Sequence, residues 1–201
     1  LKLAEKTEQP ILIIKTAWGG KSLNTDFRPP SAGDYDFNET QKQAILKRGK
    51  DFEKAQQERR AATGVYYRRM IDHVRHVLND IGRVCPDYDQ DAGYELTGFV
   101  WFQGRNDMVD SGTYPNRGEP GGYDDYSKVL THFIDDVRSD LQTSDLPFVI
   151  GVMGVGGPTD DYGPSRRRYK SVHQNFRDAM AAPAKLPEFR NTVAAVLTET
   201  F

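Results

Sequence analysis

The chain has 201 residues, 37% hydrophobic and 28% charged, with 18 glycines and 11 prolines. That is room for one domain with a full core (1–201) and no need for a second, in a composition neither disordered nor fibrous. A formal charge of −2 gives no electrostatic case for a nucleic-acid or membrane-surface partner, and no apolar run approaches the roughly 20 residues that span a bilayer. The single cysteine, Cys85, excludes an internal disulfide and a cysteine-rich metal site.

Residues 1–8 read as the tail of a helix that Pro10 ends. The chain opens on Leu1 rather than Met, which leaves room for an upstream segment; a signal peptide there would make the protein secreted or periplasmic. Ile11 to Ala17 is a continuous apolar and β-branched run, expected as a strand buried on both faces, and Trp18-Gly19-Gly20-Lys21 as a tight turn exposing backbone N–H groups. Residues 24–38 are loop by composition. Glu39 to Arg60 is polar and highly charged: a solvated helix, or an insertion over 39–62 that projects from the domain, with Gly49 against one unbroken helix.

From Val65 to Ile81 the stripe Tyr66, Met70, Val74, Val77, Leu78 and Ile81 predicts a helix that packs on a sheet. His73 and His76 lie three apart there, but neither a carboxylate nor a third histidine completes a metal site, and they read as surface or helix-packing groups. Asp87 to Asp91 lacks the glycine and distal glutamate of a calcium loop. A strand is predicted at 97–102, a long loop at 108–122, and a helix over Tyr123–Leu141 on Tyr126, Leu130, Phe133, Ile134, Val137 and Leu141, with His132 off the stripe. A strand at 147–153 ends in Gly154 to Gly157, a helix runs from Pro164 or Ser165 to Ala181, and Thr192 to Thr198 is a last strand. Arg166-Arg167-Arg168 reads as a solvated helix start. Strands alternating with helices predict an α/β fold with a parallel sheet and right-handed crossovers.

The chemistry points to one stretch. The run Phe99 to Phe102 stops abruptly in Gln103-Gly104-Arg105-Asn106-Asp107, the pattern of a buried strand whose carboxyl end opens into a site. Gln103 and Asn106 each bring an uncharged NH2 donor, suited to an oxygen that becomes negative during a reaction. Four strand ends are expected on one rim: Gly19-Gly20, Gln103 to Asp107, Gly154 to Gly157, and Glu199 to Phe201. A backbone N–H of the Gly19-Gly20 turn together with the amide of Gln103 or Asn106 would form an oxyanion hole, each donor worth about 3–4 kcal/mol in the transition state. The plain alternatives are a structural turn at the glycines and an Asn-Asp cap. Gly20-Lys21-Ser22 does not make a phosphate loop, because Lys15 stands where a glycine is required and Asn24 to Pro30 forbids the following helix.

The segment from Ile11 to Leu23, with its Trp18-Gly19-Gly20 turn, and the Trp101-Phe102-Gln103-Gly104-Arg105-Asn106-Asp107 motif together resemble the sialate O-acetylesterase group, carbohydrate esterase family 6, within the SGNH hydrolase superfamily. The resemblance runs from about Ile11 onward and is weakest across 35–95. It implies a three-layer α/β/α, flavodoxin-like sheet and serine-dependent hydrolysis of acetyl esters on a sugar, without metal or cofactor. By the same resemblance Gly20 supplies an oxyanion N–H, Gln103 or Asn106 the second donor, and Gly19, Gly104, Arg105 and Asp107 border the acetylated carbohydrate. Position 105 is Arg where many relatives have Glu. The relatives take their serine from a turn after a strand upstream of anything here, and their histidine from a loop after the last strand. Neither motif is present: Ser22, Ser31, Ser111 and Ser165 lie outside the nucleophile's pattern. The family strand order would seat the serine-bearing strand between the 11–17 and 97–102 strands. The rival expectation is a carbohydrate-binding or accessory module of the same fold without turnover. Nothing in the sequence specifies an oligomeric state.

Overall fold

The computed structural model describes residues 5–7 and 9–199; most of the expected helix tail lies outside them, and Glu5 and Lys6 form a turn. Three short apolar runs become strands, β1 (Phe99–Trp101), β2 (Phe148–Val152) and β3 (Val193–Leu197). They pair in parallel in the order β1-β2-β3, with Trp101 opposite Ile150 and Val152 opposite Leu197. The protein is therefore α/β with a parallel sheet, as its alternation of elements predicts.

The helices are α1 (Glu39–Lys47), α2 (Phe52–Ala62), α3 (Val65–Asn79), the single turn α4 (Arg105–Val109), α5 (Asp124–Asp140) and α6 (Lys170–Ala181). Crossovers of one hand that advance in one direction place α5 and α6 on the same face of the sheet. There Phe133, Ile134, Val137, Phe176 and Met180 bury against Trp101, Phe148, Ile150 and Val193. The rings of Trp101 and Phe133 are 4.3 Å apart, and Phe99 stacks on Phe148 at 5.0 Å. Each such side chain contributes about 1.5–3 kcal/mol by leaving water. The α5 stripe is the expected one. In α3 the buried set is Tyr67, Met70, Ile71, Val74 and Val77, rotated slightly from expectation because Tyr67 packs on Phe133 and donates to Asp140 Oδ2 at 2.7 Å. His73, His76 and His132 are exposed.

The other face of the sheet is bare among the described residues. Val100 is 71% and Val196 42% exposed, and the 67% exposed Phe102 lays its ring over Gly151. Two of the three expected layers are thus present. The polar stretch 39–62 is two helices separated at Gly49 (φ +66°), one capped by Asn38 with a reciprocal Gln41 bond, the other by Asp51. Neither contains a buried residue, so this stretch adds nothing to the core.

The expected strand at 11–17 is not formed. These residues carry no strand pairing, and Ile13 is 61% exposed. An interior parallel strand needs a neighbour on each edge for its N–H and C=O groups. The described residues offer it none, and the outer edge of β1 is unpaired as well.

Gly64 fixes how the following turn meets α3. Its φ is +69°, its N–H donates to Thr25 O, and an added Cβ would stand 2.7 Å from Arg28 O. Gly64→Ala is expected to lower stability by about 2 kcal/mol, through left-handed strain and collision with backbone, read as a lower denaturant midpoint at unchanged m-value.

Candidate active site at the strand ends

The 18–28 segment is held against the end of β1 by one buried carboxylate. Asp107, 1% exposed, accepts from Leu23 N (2.8 Å), Asn24 N (3.0 Å), Gln103 Nε2 (2.7 Å) and Tyr114 OH (3.3 Å). Burial holds its pKa up at about 6, against the opposing pull of those four hydrogen bonds. Asp107 was expected to border the substrate; it faces inward instead, because α4 begins at Arg105 and turns its third residue under the loop. Ser22 closes the same loop internally, its N–H and hydroxyl both donating to Asp26 Oδ2.

That clasp brings Gly20 to Asn106. A Cβ built on Gly20 (φ +73°) would lie 4.0 Å from Asn106 Nδ2, although 86 positions separate the two residues in the chain. The Asn106 side chain and the Gly20 N–H make no hydrogen bond with another described residue, and Asn106 is half-buried. Gln103 differs. Its two amide hydrogens go to Lys21 O (2.9 Å) and Asp107 Oδ2 (2.7 Å), so its donors are spent on the loop, and its buried Oε1 has no partner. Gly19 is exposed at the turn and Arg105 at the head of α4.

Gly104 was expected to admit a ligand close to the backbone. It admits α6: an added Cβ would stand 2.7 Å from the Phe176 ring and 3.1 Å from Met153 Cε. The third rim loop, 153–157, is organised by Arg177, which sequence reading did not single out. This residue, 4% exposed, donates to Met153 O (3.0 Å), Val155 O (3.2 Å) and Gly157 O (2.8 Å) and pairs with Glu199 Oε2 at 2.6 Å. The available signal was a cation inside the apolar spacing Phe176, Ala179, Met180. Gly154 abuts Thr198 and Glu199, so the 104, 154 and 199 strand ends share the expected rim; residues 200 and 201 lie outside the described residues.

A serine–histidine hydrogen bond exists elsewhere. Ser31 Oγ is 3.0 Å from His132 Nδ1 and Ser31 N donates to Asp136 Oδ2 at 2.8 Å, which pins the 30–32 turn to the side of α5. It has no share in the rim. Cavities of about 440 Å³ beside Arg138 and about 230 Å³ against β3 also lie apart from Gly20 and Asn106.

A parallel sheet with loop N–H and amide donors gathered at its carboxyl ends defines an α/β domain of the kind that binds ligands at this rim. The family follows from comparison: a model described as carbohydrate esterase, sialic acid-specific acetylesterase matches residues 1–186, and the chain belongs to that family. No curated protein and no solved structure matches it. The resemblance carried by the 11–23 and 101–107 segments is thereby borne out as to family.

Proposed function

We propose that the chain forms the oxyanion side of a serine-dependent O-acetylesterase acting on acetylated sugars, sialate among them. The approach of Gly20 to Asn106 carries the reading. The carbonyl oxygen of the acetyl group sits between the Gly20 N–H and the Asn106 amide, which strengthen their bonds as it turns negative under attack. Gln103 is a positioning residue in this scheme, because its hydrogens hold Lys21 and Asp107. Gly19 and Arg105 flank the sugar.

The nucleophile arrives on a further strand seated along the free edge of β1, between it and residues 11–17. The exposed edge and bare sheet face support this. A right-handed crossover leaving such a strand toward 11–17 lays its helix on the face where Val100 and Val196 are uncovered, supplying the third layer. The histidine comes from a loop beyond β3. For the complete protein, Asn106→Ala is expected to reduce kcat for acetate release from an acetylated sugar about 10²–10³-fold with a small change in KM. An unchanged kcat would remove Asn106 from the mechanism. A complete protein that binds the sugar yet releases no acetate would favour the accessory-module reading.

A further inference from the structure

We propose that Tyr123 is a positioning residue for the oxyanion site: its buried hydroxyl, bonded to Met108 O, fixes the turn α4 that aims Asn106 at Gly20. This rests on the esterase reading for what Asn106 does and adds which group outside the rim sets its place. A helix of five residues closes too few hydrogen bonds to orient itself, so its direction must come from its surroundings. Met108 N donates to Gly104 O at 2.9 Å, and Asn106 lies midway between these two residues. One aromatic cluster holds both of them. Gly104 backs onto Phe176, where an added Cβ would stand 2.7 Å from the ring, and Tyr123 OH donates to Met108 O at 2.5 Å.

Tyr123 is itself immobilised. It stands at the N-cap of α5, 1% exposed, with its ring centroid 4.9 Å from that of Phe176 and 5.0 Å from that of Tyr114. Burial pushes its pKa up, which keeps the phenol a donor. The other contact of Met108 O, with Arg117 Nη1, is longer at 3.4 Å, and that guanidinium places its shorter bond, 2.6 Å, on Val109 O. The two halves of the oxyanion site thus have separate supports. Asp107 holds the segment that carries Gly20, and Tyr123 sets how α4 turns Asn106 toward it. A donor serves an oxyanion only at hydrogen-bond distance, and a displacement of about 1 Å can cost up to about 10²-fold in rate.

The test is Tyr123→Phe in the complete protein, which removes one oxygen and keeps the ring. It is expected to lower kcat for acetate release from an acetylated sugar about tenfold with little change in KM, and to shift the NMR signals of the Asn106 side-chain NH2. In an Asn106→Ala background the same change should cost nothing further in kcat, a coupling that a merely stabilising hydroxyl would not produce. An unchanged kcat, an equal loss with and without Asn106, or Asn106 signals that stay in place would each overturn the role of Tyr123. Should Tyr123→Phe fail to fold, Arg117→Ala decides: it loosens the same end of α4 and is expected to act in the same direction more weakly, and an unchanged kcat there overturns the proposal. The NMR measurement needs no turnover. Asn106 signals that move in Tyr123→Phe while the wild type releases no acetate sink the esterase alone, and hydrolysis indifferent to Tyr123 sinks the positioning role alone.

Discussion

Asp107→Ala is expected to lower the unfolding free energy by about 3–5 kcal/mol and to abolish acetate release by the complete protein. The carboxylate answers four donors on three separate pieces of chain: the Leu23 and Asn24 N–H groups, the Gln103 amide and the Tyr114 hydroxyl. Alanine would leave them in a dry site, where each unanswered donor costs about 1–3 kcal/mol, less when the loop can swing out to water. That escape is itself the functional loss, because it carries Gly20 away from Asn106. Urea unfolding measures the first effect, and amide exchange at residues 19–25 the second. A variant as stable as the wild type, with those amides still protected, would show that the clasp is not what holds the rim together.

The same residue gives a pH signature. Its pKa is about 6 folded and 3.8 in the ordinary carboxylate, so between these values the folded state holds the extra proton. Stability contributed by this group is fully present below about pH 4 and is lost as pH rises to about 6. Two units correspond to about 3 kcal/mol. The difference in unfolding free energy between wild type and Asp107→Asn should therefore slope with pH in that window and be flat above it.

Arg177→Ala is expected to cost about 3–5 kcal/mol, because it leaves Glu199 and the carbonyls of Met153, Val155 and Gly157 without their common donor. The double variant Arg177→Met with Glu199→Gln should recover part of that loss, since no charge then remains unpaired at the end of β3. Thermal unfolding of the two variants beside the wild type checks the order. Equal losses for single and double variants would mean that the carbonyls, not the ion pair, dominate.

Much of this architecture is legible in local pattern. Phe99 to Phe102, Phe148 to Val152 and Val193 to Leu197 are apolar runs too short for helices, and Phe133, Ile134 and Val137 repeat at helical spacing, so periodicity identifies them. The 11–23 segment and the Trp101 to Asp107 motif carry the family resemblance, since their residue types and spacing are themselves the signal. The segment Ile11 to Ala17 carries the same kind of apolar signal yet forms no strand, because a strand is a property of its neighbours as much as of its own side chains. Sequence alone determined the parallel α/β class, the buried face of α5 and the chain's family. Only tertiary structure decided that Asp107 is a buried clasp, that Gln103 spends its hydrogens on the loop, that Gly104 makes way for Phe176, and that Gly20 meets Asn106. Residue type sets which hydrogen bonds are available, but which partner takes each one depends on contacts between segments some eighty residues apart, and no local pattern encodes those.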